Sequence, residues 1–148
     1  MALVGSNGSG KTTLIKTIMD IHPKYEVSEI SFMGKNSDFK DPYFKENRLA
    51  VFSDDKAFRY WSFWEYAEFL YKIYGKEIDE TYIESLMHGF NFNKYENYIL
   101  KDLSMGNAKK FYIIAALGLK LPFLVLDEPV DGLDFESTVF LYLSLIHI

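Results

Sequence analysis

The chain has 148 residues, 49% of them hydrophobic, and its 16 basic against 21 acidic side chains give a net charge of −5. That length suits one domain able to bury about 70% of its unfolded surface. The absence of cysteine excludes disulfides, thiolate metal sites and a thiol nucleophile, and the acidic balance argues against a free-standing nucleic-acid binder. In chain order, Met1-Ala-Leu-Val4 reads as a short buried strand that stops at Gly5. Lys11 to Met19 spaces Leu14, Ile15, Ile18 and Met19 as a helix, which Pro23 shuts down. Residues 24–47 are polar and punctuated by Gly34 and Pro42, with one strand expected at Glu29–Met33. Leu49 to Phe52 is strand-like again. Helices are expected over Ser62–Tyr74, ended by Gly75, and over Asp79–Met87, opened by an acidic cap. A long helix runs from Asp102 through Leu119, Phe123–Leu126 is a buried strand, and Asp134 onward is helical. Strands alternating with helices predict a parallel α/β core, and residues 57–103, which lack a strand candidate, predict an inserted helical lobe.

Gly5-Ser6-Asn7-Gly8-Ser9-Gly10-Lys11-Thr12 fits G-x-x-x-x-G-K-[ST] in full. Glycines let the backbone bend around a phosphate and turn its N–H groups inward, at a helix start whose free amides already favour an anion. Gly5 through Thr13 are therefore the candidate nucleotide-binding residues. Lys11 would reach the β- and γ-phosphates, and Thr12 would place its hydroxyl on Mg²⁺. Such a loop needs a carboxylate from a neighbouring strand. Phe123-Leu-Val-Leu-Asp127-Glu128 supplies two acids at a strand's carboxyl end, where ligands gather in open α/β sheets. Asp127 is the candidate magnesium partner, and Glu128 the candidate catalytic group that polarises a water for attack on the γ-phosphate.

These residues resemble the nucleotide-binding domain of the ABC (ATP-binding cassette) ATPases. Leu103-Ser104-Met105-Gly106-Asn107 is similar to that family's LSGGQ signature, and 24 residues separate Leu103 from Asp127, the family's offset. Pro129-Val-Asp131-Gly132-Leu133-Asp134 is similar to its D-loop, with Asp134 at the matching position. The resemblance implies a P-loop NTPase fold with core about 1–56 and 104–148 and a helical lobe about 57–103. It also implies a head-to-tail dimer in which Ser104 and Gly106 contact ATP held by the partner. Met105 and Asn107 depart from the family's Gly and Gln. At the Q-loop, Asp54 stands where the family has a glutamine, and is carried over as a further metal-proximal group.

Phe58, Tyr60, Trp61, Phe63, Trp64, Tyr66, Phe69, Tyr71 and Tyr74 crowd into 17 positions. One helix face cannot bury all of them. Some build the lobe's core, and the resemblance implies that others form a cleft for a permease's cytoplasmic helix. The family's adenine-stacking aromatic and switch histidine have no counterpart. Four residues precede Gly5, and His147 stands too close to Glu128. His22 and His88 read as surface residues. Leu143-Ser-Leu-Ile-His-Ile148 matches the translation of a common sequencing adapter, so the chain is expected to be a fragment truncated at both ends.

Met1 to Gly5 lacks the basic start of a cleavable leader, and the apolar run Phe111–Leu126 is too short to span a bilayer and is broken by Lys120 and Pro122. The expectation is an ATPase subunit using ATP and Mg²⁺ to drive a separate membrane permease. It would be cytoplasmic and peripheral at the inner face of the membrane, with no nucleic-acid partner. The alternatives are a soluble ABC-type ATPase acting on ribosomes or DNA, or a nucleotide-binding fragment without turnover.

Overall fold

Two parallel strands and the helices that connect them organise the molecule. A computed structural model of the chain describes residues 3, 5–6, 8–22, 25–53 and 57–146. Its elements are α1 (Lys11–Ile18), β1 (Ile30–Phe32), β2 (Lys35–Ser37), α2 (Pro42–Glu46), β3 (Arg48–Val51), α3 (Phe63–Ile73), α4 (Glu80–Gly89), α5 (Met105–Gly118), β4 (Phe123–Leu126) and α6 (Phe135–Ile146). Single 3-10 turns at Asn93–Tyr95 and Leu100–Asp102 lead from α4 into α5.

Strands β3 and β4 pair in parallel, from Arg48 opposite Phe123 to Val51 opposite Leu126. Parallel neighbours require a long crossover, and here it consists of α3, α4 and α5. Residues 57–103 are helical or irregular throughout. The Asp127 N–H donates to the Val51 carbonyl at 2.9 Å, so the ladder carries the backbone up to the first acid. The strand expected at Met1–Val4 falls largely outside the described residues.

Helix α5 is the hub. It packs against α3, α4, β3 and β4, and every residue from Lys110 to Leu119 is buried. A helix enclosed on all sides has no polar face to show, which is why Phe111 to Leu117 reads as a continuous apolar run. Phe63, Phe92 and Phe111 are fully buried together, with ring centroids 5.5 Å apart for Phe63–Phe111 and 6.0 Å for Phe63–Phe92. Gly118 belongs here for a reason of space: a Cβ would come within 2.2 Å of the Tyr71 hydroxyl.

The helix ends follow local chemistry. The Glu65 carboxylate accepts both the N–H and the hydroxyl of Ser62 at the start of α3, which holds its acid below the usual carboxylate range. Asp79 accepts the Tyr82 N–H to cap α4.

Three expectations need correction. Helix α1 ends at Ile18, where Asp20 turns left-handed, several residues before Pro23. The long helix starts at Met105, because Ser104 is its cap and Asp102 closes a separate 3-10 turn. Segment 24–47 holds more than one strand. Met33 and Gly34, both at positive φ, make a two-residue hairpin turn between β1 and β2, and Asp41-Pro42 opens α2 with the Asp41 carboxylate accepting the Tyr43 N–H.

Candidate functional site

The loop before α1 bends at Gly8 and Gly10, both at positive φ. Gly10 caps the helix at φ +88, a conformation that a side chain would strain. The Lys11 ammonium folds back across the loop and donates to the carbonyls of Gly5 at 2.7 Å and Ser6 at 2.9 Å. Ser9 N–H donates to the Ser6 carbonyl, closing the turn. Gly5, Ser6, Gly8, Ser9, Gly10, Thr12 and Thr13 are all exposed, so the loop presents its polar groups outward. Asn7 lies outside the described residues.

The second half of the site arrives from β4. Asp127 is 8% exposed, and its Oδ2 accepts a hydrogen bond from Thr12 Oγ1 at 3.3 Å. That contact spans 115 positions of sequence and joins the start of α1 to the carboxyl end of β4. Glu128 follows with its side chain exposed and its backbone left-handed at φ +48. A non-glycine residue in that region is uncommon and costs about 1 kcal/mol or more, so neighbouring structure must hold it.

The neighbouring structure is the N-terminal part of α5. The Lys109 ammonium donates to the Glu128 carbonyl at 2.8 Å and to the Asp131 carbonyl at 2.6 Å. Gly106 lies so close to the following turn that a Cβ would come within 2.4 Å of the Gly132 carbonyl oxygen. Ser104 caps α5 by accepting the Asn107 N–H at 3.3 Å, and Met105 is left 77% exposed beside it.

Asp134 sits one step further on, as the cap of α6. Its carboxylate accepts the Ser137 N–H at 2.9 Å and the Lys110 ammonium at 2.5 Å. Lys110 is 4% exposed, and it also donates to the Phe90 carbonyl at 2.8 Å. The Lys110 ammonium and the Ser137 N–H hold the Asp134 carboxyl well below the usual carboxylate range.

Sequence reading singled out neither lysine. A pair of lysines just inside a run of apolar residues was the available signal, since a cation on a buried helix needs partners. Asp54 and His147 lie outside the described residues. Among those residues, no group of three or more His, Cys, Asp or Glu side chains gathers around one point.

A glycine-rich loop opening a helix, hydrogen-bonded to an aspartate at the end of a parallel strand, defines a P-loop nucleotide-binding α/β domain. The profile of the ABC transporter family matches residues 1–131, and the chain belongs to that family. AlbC of Bacillus subtilis (strain 168) is 33% identical over an alignment of 150 positions that covers 95% of this chain and 60% of that protein. The cytochrome c biogenesis ATP-binding export protein CcmA of Reclinomonas americana is 31% identical over an alignment of 136 positions that covers 88% of this chain and 58% of the relative. A solved structure of the ATP binding subunit of an ABC transporter superimposes with a TM-score of 0.85 on 97% of this chain and 60% of its own, at 22% identity, a likeness of fold. The chain thus spans about 60% of the length of these relatives.

Proposed function

We propose that the chain binds ATP on the loop Gly5–Thr13 and, within an ABC transporter ATPase subunit, hydrolyses it to power transport by a separate membrane permease. The observation that carries this reading is the Thr12–Asp127 hydrogen bond. It brings a hydroxyl from the phosphate loop and a carboxylate from the strand end to one point, the pair of hard oxygen donors that suits Mg²⁺. A magnesium ion bound with ATP would be held by Thr12 and Asp127 and would draw charge from the β,γ-phosphate oxygens.

The chain's own groups supply the rest. Lys11 would exchange its two loop carbonyls for phosphate oxygens, and the free N–H groups at the start of α1 would bind the same anion. Glu128, exposed at the strand end, would orient and polarise the attacking water. Asp54 would add a carboxylate near the metal. Ser104 and Gly106 would contact ATP held by a second copy in a head-to-tail dimer, with Asp134 closing the D-loop beside them.

The aromatic lobe supports a docking role for the permease. Phe58, Trp61 and Phe69 pack in tilted and edge-to-face contact, with centroids 4.8–5.2 Å apart, on the outer side of α3. Beside them Trp61, Glu65, Glu68, Phe69 and Lys72 line a groove of about 440 Å³. A cytoplasmic helix with an apolar stripe would fill it. No helix among the described residues is long and apolar enough to cross a membrane itself. The proposed site of action is the inner face of the membrane, reached through the permease.

The test is ATP binding and turnover by the chain and two variants. Lys11→Ala should weaken ATP binding about 100-fold, roughly 2.7 kcal/mol. Glu128→Gln should keep binding within about twofold while turnover falls on the order of 100-fold or more. Unchanged binding by Lys11→Ala would remove the site, and unchanged turnover by Glu128→Gln would remove its role. Binding without turnover in the unmodified chain would restrict the activity to nucleotide binding.

A further inference from the structure

Glu128 can act only if its backbone is held where its carboxylate reaches the γ-phosphate, and its left-handed φ of +48 does not hold itself. Three grips from α5 reach the segment that follows β4. Gly106 packs against the Gly132 carbonyl, Lys110 binds Asp134, and Lys109 binds the carbonyls of Glu128 and Asp131. Of these, the Lys109 grip alone falls on Glu128 itself. The Glu128 carbonyl also accepts the Asp131 N–H at 3.2 Å, so the turn has a long backbone bond of its own, and the ammonium adds two shorter, charge-assisted ones. One cation converging on carbonyls three residues apart ties the turn shut and fixes it to the N-terminal part of α5.

We infer that Lys109 is a positioning residue: its ammonium holds the Glu128–Asp131 turn in the conformation that presents the Glu128 carboxylate. Because Lys109 stands five residues after Ser104 on the same helix start, the signature turn and the catalytic turn are carried as one rigid piece. Its kinetic consequence rests on the ATPase reading above, whereas its structural consequence does not.

Two readouts on the same chain separate the two. Hydrogen exchange at the backbone N–H groups of residues 128 and 130–134 should rise about tenfold in Lys109→Met, with those of α3 unchanged. In turnover, kcat should fall about tenfold while ATP affinity and KM stay within twofold, because the phosphate loop is untouched. Lys109→Arg, which keeps a cation and parallel donors, should recover most of both effects, and Lys109→Gln serves if the Met variant does not fold. Protection of residues 128–134 that is unchanged in the Met and Gln variants would overturn the inference. So would a loss carried by KM instead of kcat, or a failure of Arg to restore what Met removes. Lost protection in a chain that hydrolyses no ATP would uphold the positioning role and count against the ATPase reading alone.

Discussion

The helical lobe and the nucleotide face are built on opposite terms. Around α5 the side chains of Phe63, Phe92, Phe111, Ile113, Ile114 and Leu117 are buried to 1% exposure or less. The face formed by the phosphate loop, the end of β4 and the turn to Asp134 is exposed or half-buried, apart from Asp127. The first region is held by packing, which is nondirectional and additive over many contacts. The second is held by a few directional bonds: Lys11 to the loop carbonyls, Thr12 to Asp127, and Lys109 to the turn that follows β4. Four positive-φ residues, Gly8, Gly10, Glu128 and Gly132, lie on this second face. The difference teaches where each kind of damage goes. Mutations in the lobe should cost stability first, and mutations in the face should cost chemistry first.

The largest expected effect on folding tests the first half of that contrast. Phe111→Ala empties a site that touches the rings of Phe63, Tyr66 and Phe92. It should lower unfolding free energy by roughly 3–5 kcal/mol, read as a shift of the urea midpoint. ATP affinity measured on the fraction still folded should stay within about twofold. A loss of affinity in that folded fraction would erase the separation between the two regions.

A smaller effect is expected where the regions meet. Asp134→Asn leaves the buried Lys110 ammonium without its counter-charge. Breaking a fully buried pair costs roughly 3–5 kcal/mol, but the Asp134 side chain is 52% exposed, and solvent screening reduces the expected loss to about 1–2 kcal/mol. The sign with pH follows from the depressed carboxyl. Its stabilising contribution is complete above the unfolded value near 3.8 and is lost as pH falls through the lower folded value. The wild type should therefore lose stability below about pH 4 more steeply than Asp134→Asn, measured by thermal melting across pH 2–6. Equal slopes would show that the pair carries no linkage.

The smallest effect belongs to the signature turn. Ser104 Oγ caps α5 through a long 3.3 Å bond, so Ser104→Ala should cost only about 0.5 kcal/mol of stability, at the low end for a cap. If Ser104 reaches a second copy's ATP, the variant should bind ATP normally at low protein concentration. Under the proposed head-to-tail dimer it should also lose the rise in specific turnover expected at high concentration. A variant with unaltered concentration dependence would leave Ser104 as a cap alone.

Much of this molecule was legible from residue order. The phosphate loop, the acids after Phe123–Leu126, the helix of α3, the acidic cap that opens α4 and the strand-free middle are each written in a contiguous stretch. Each also obeys a local rule: glycines at a bend, an apolar run ended by acids, a capping residue ahead of a helical pattern. The boundaries that shifted, at Ile18, Met105 and the 33–34 turn, are places where backbone dihedrals decided between readings that composition left equal. Asp20 and Met33 take positive φ although neither is glycine.

Sequence alone thus determined which groups are present for phosphate chemistry, because each set, the loop Gly5–Thr13 and the pair Asp127–Glu128, is written in a short contiguous stretch of its own. Tertiary structure decided which of them meet. Thr12 and Asp127 come together across 115 positions, Lys109 reaches back to Glu128 across 19, and Lys110 is enclosed because α5 is surrounded. The physical reason is that a hydrogen bond or a buried charge is a property of two surfaces brought together, and a one-dimensional pattern describes only one of them at a time.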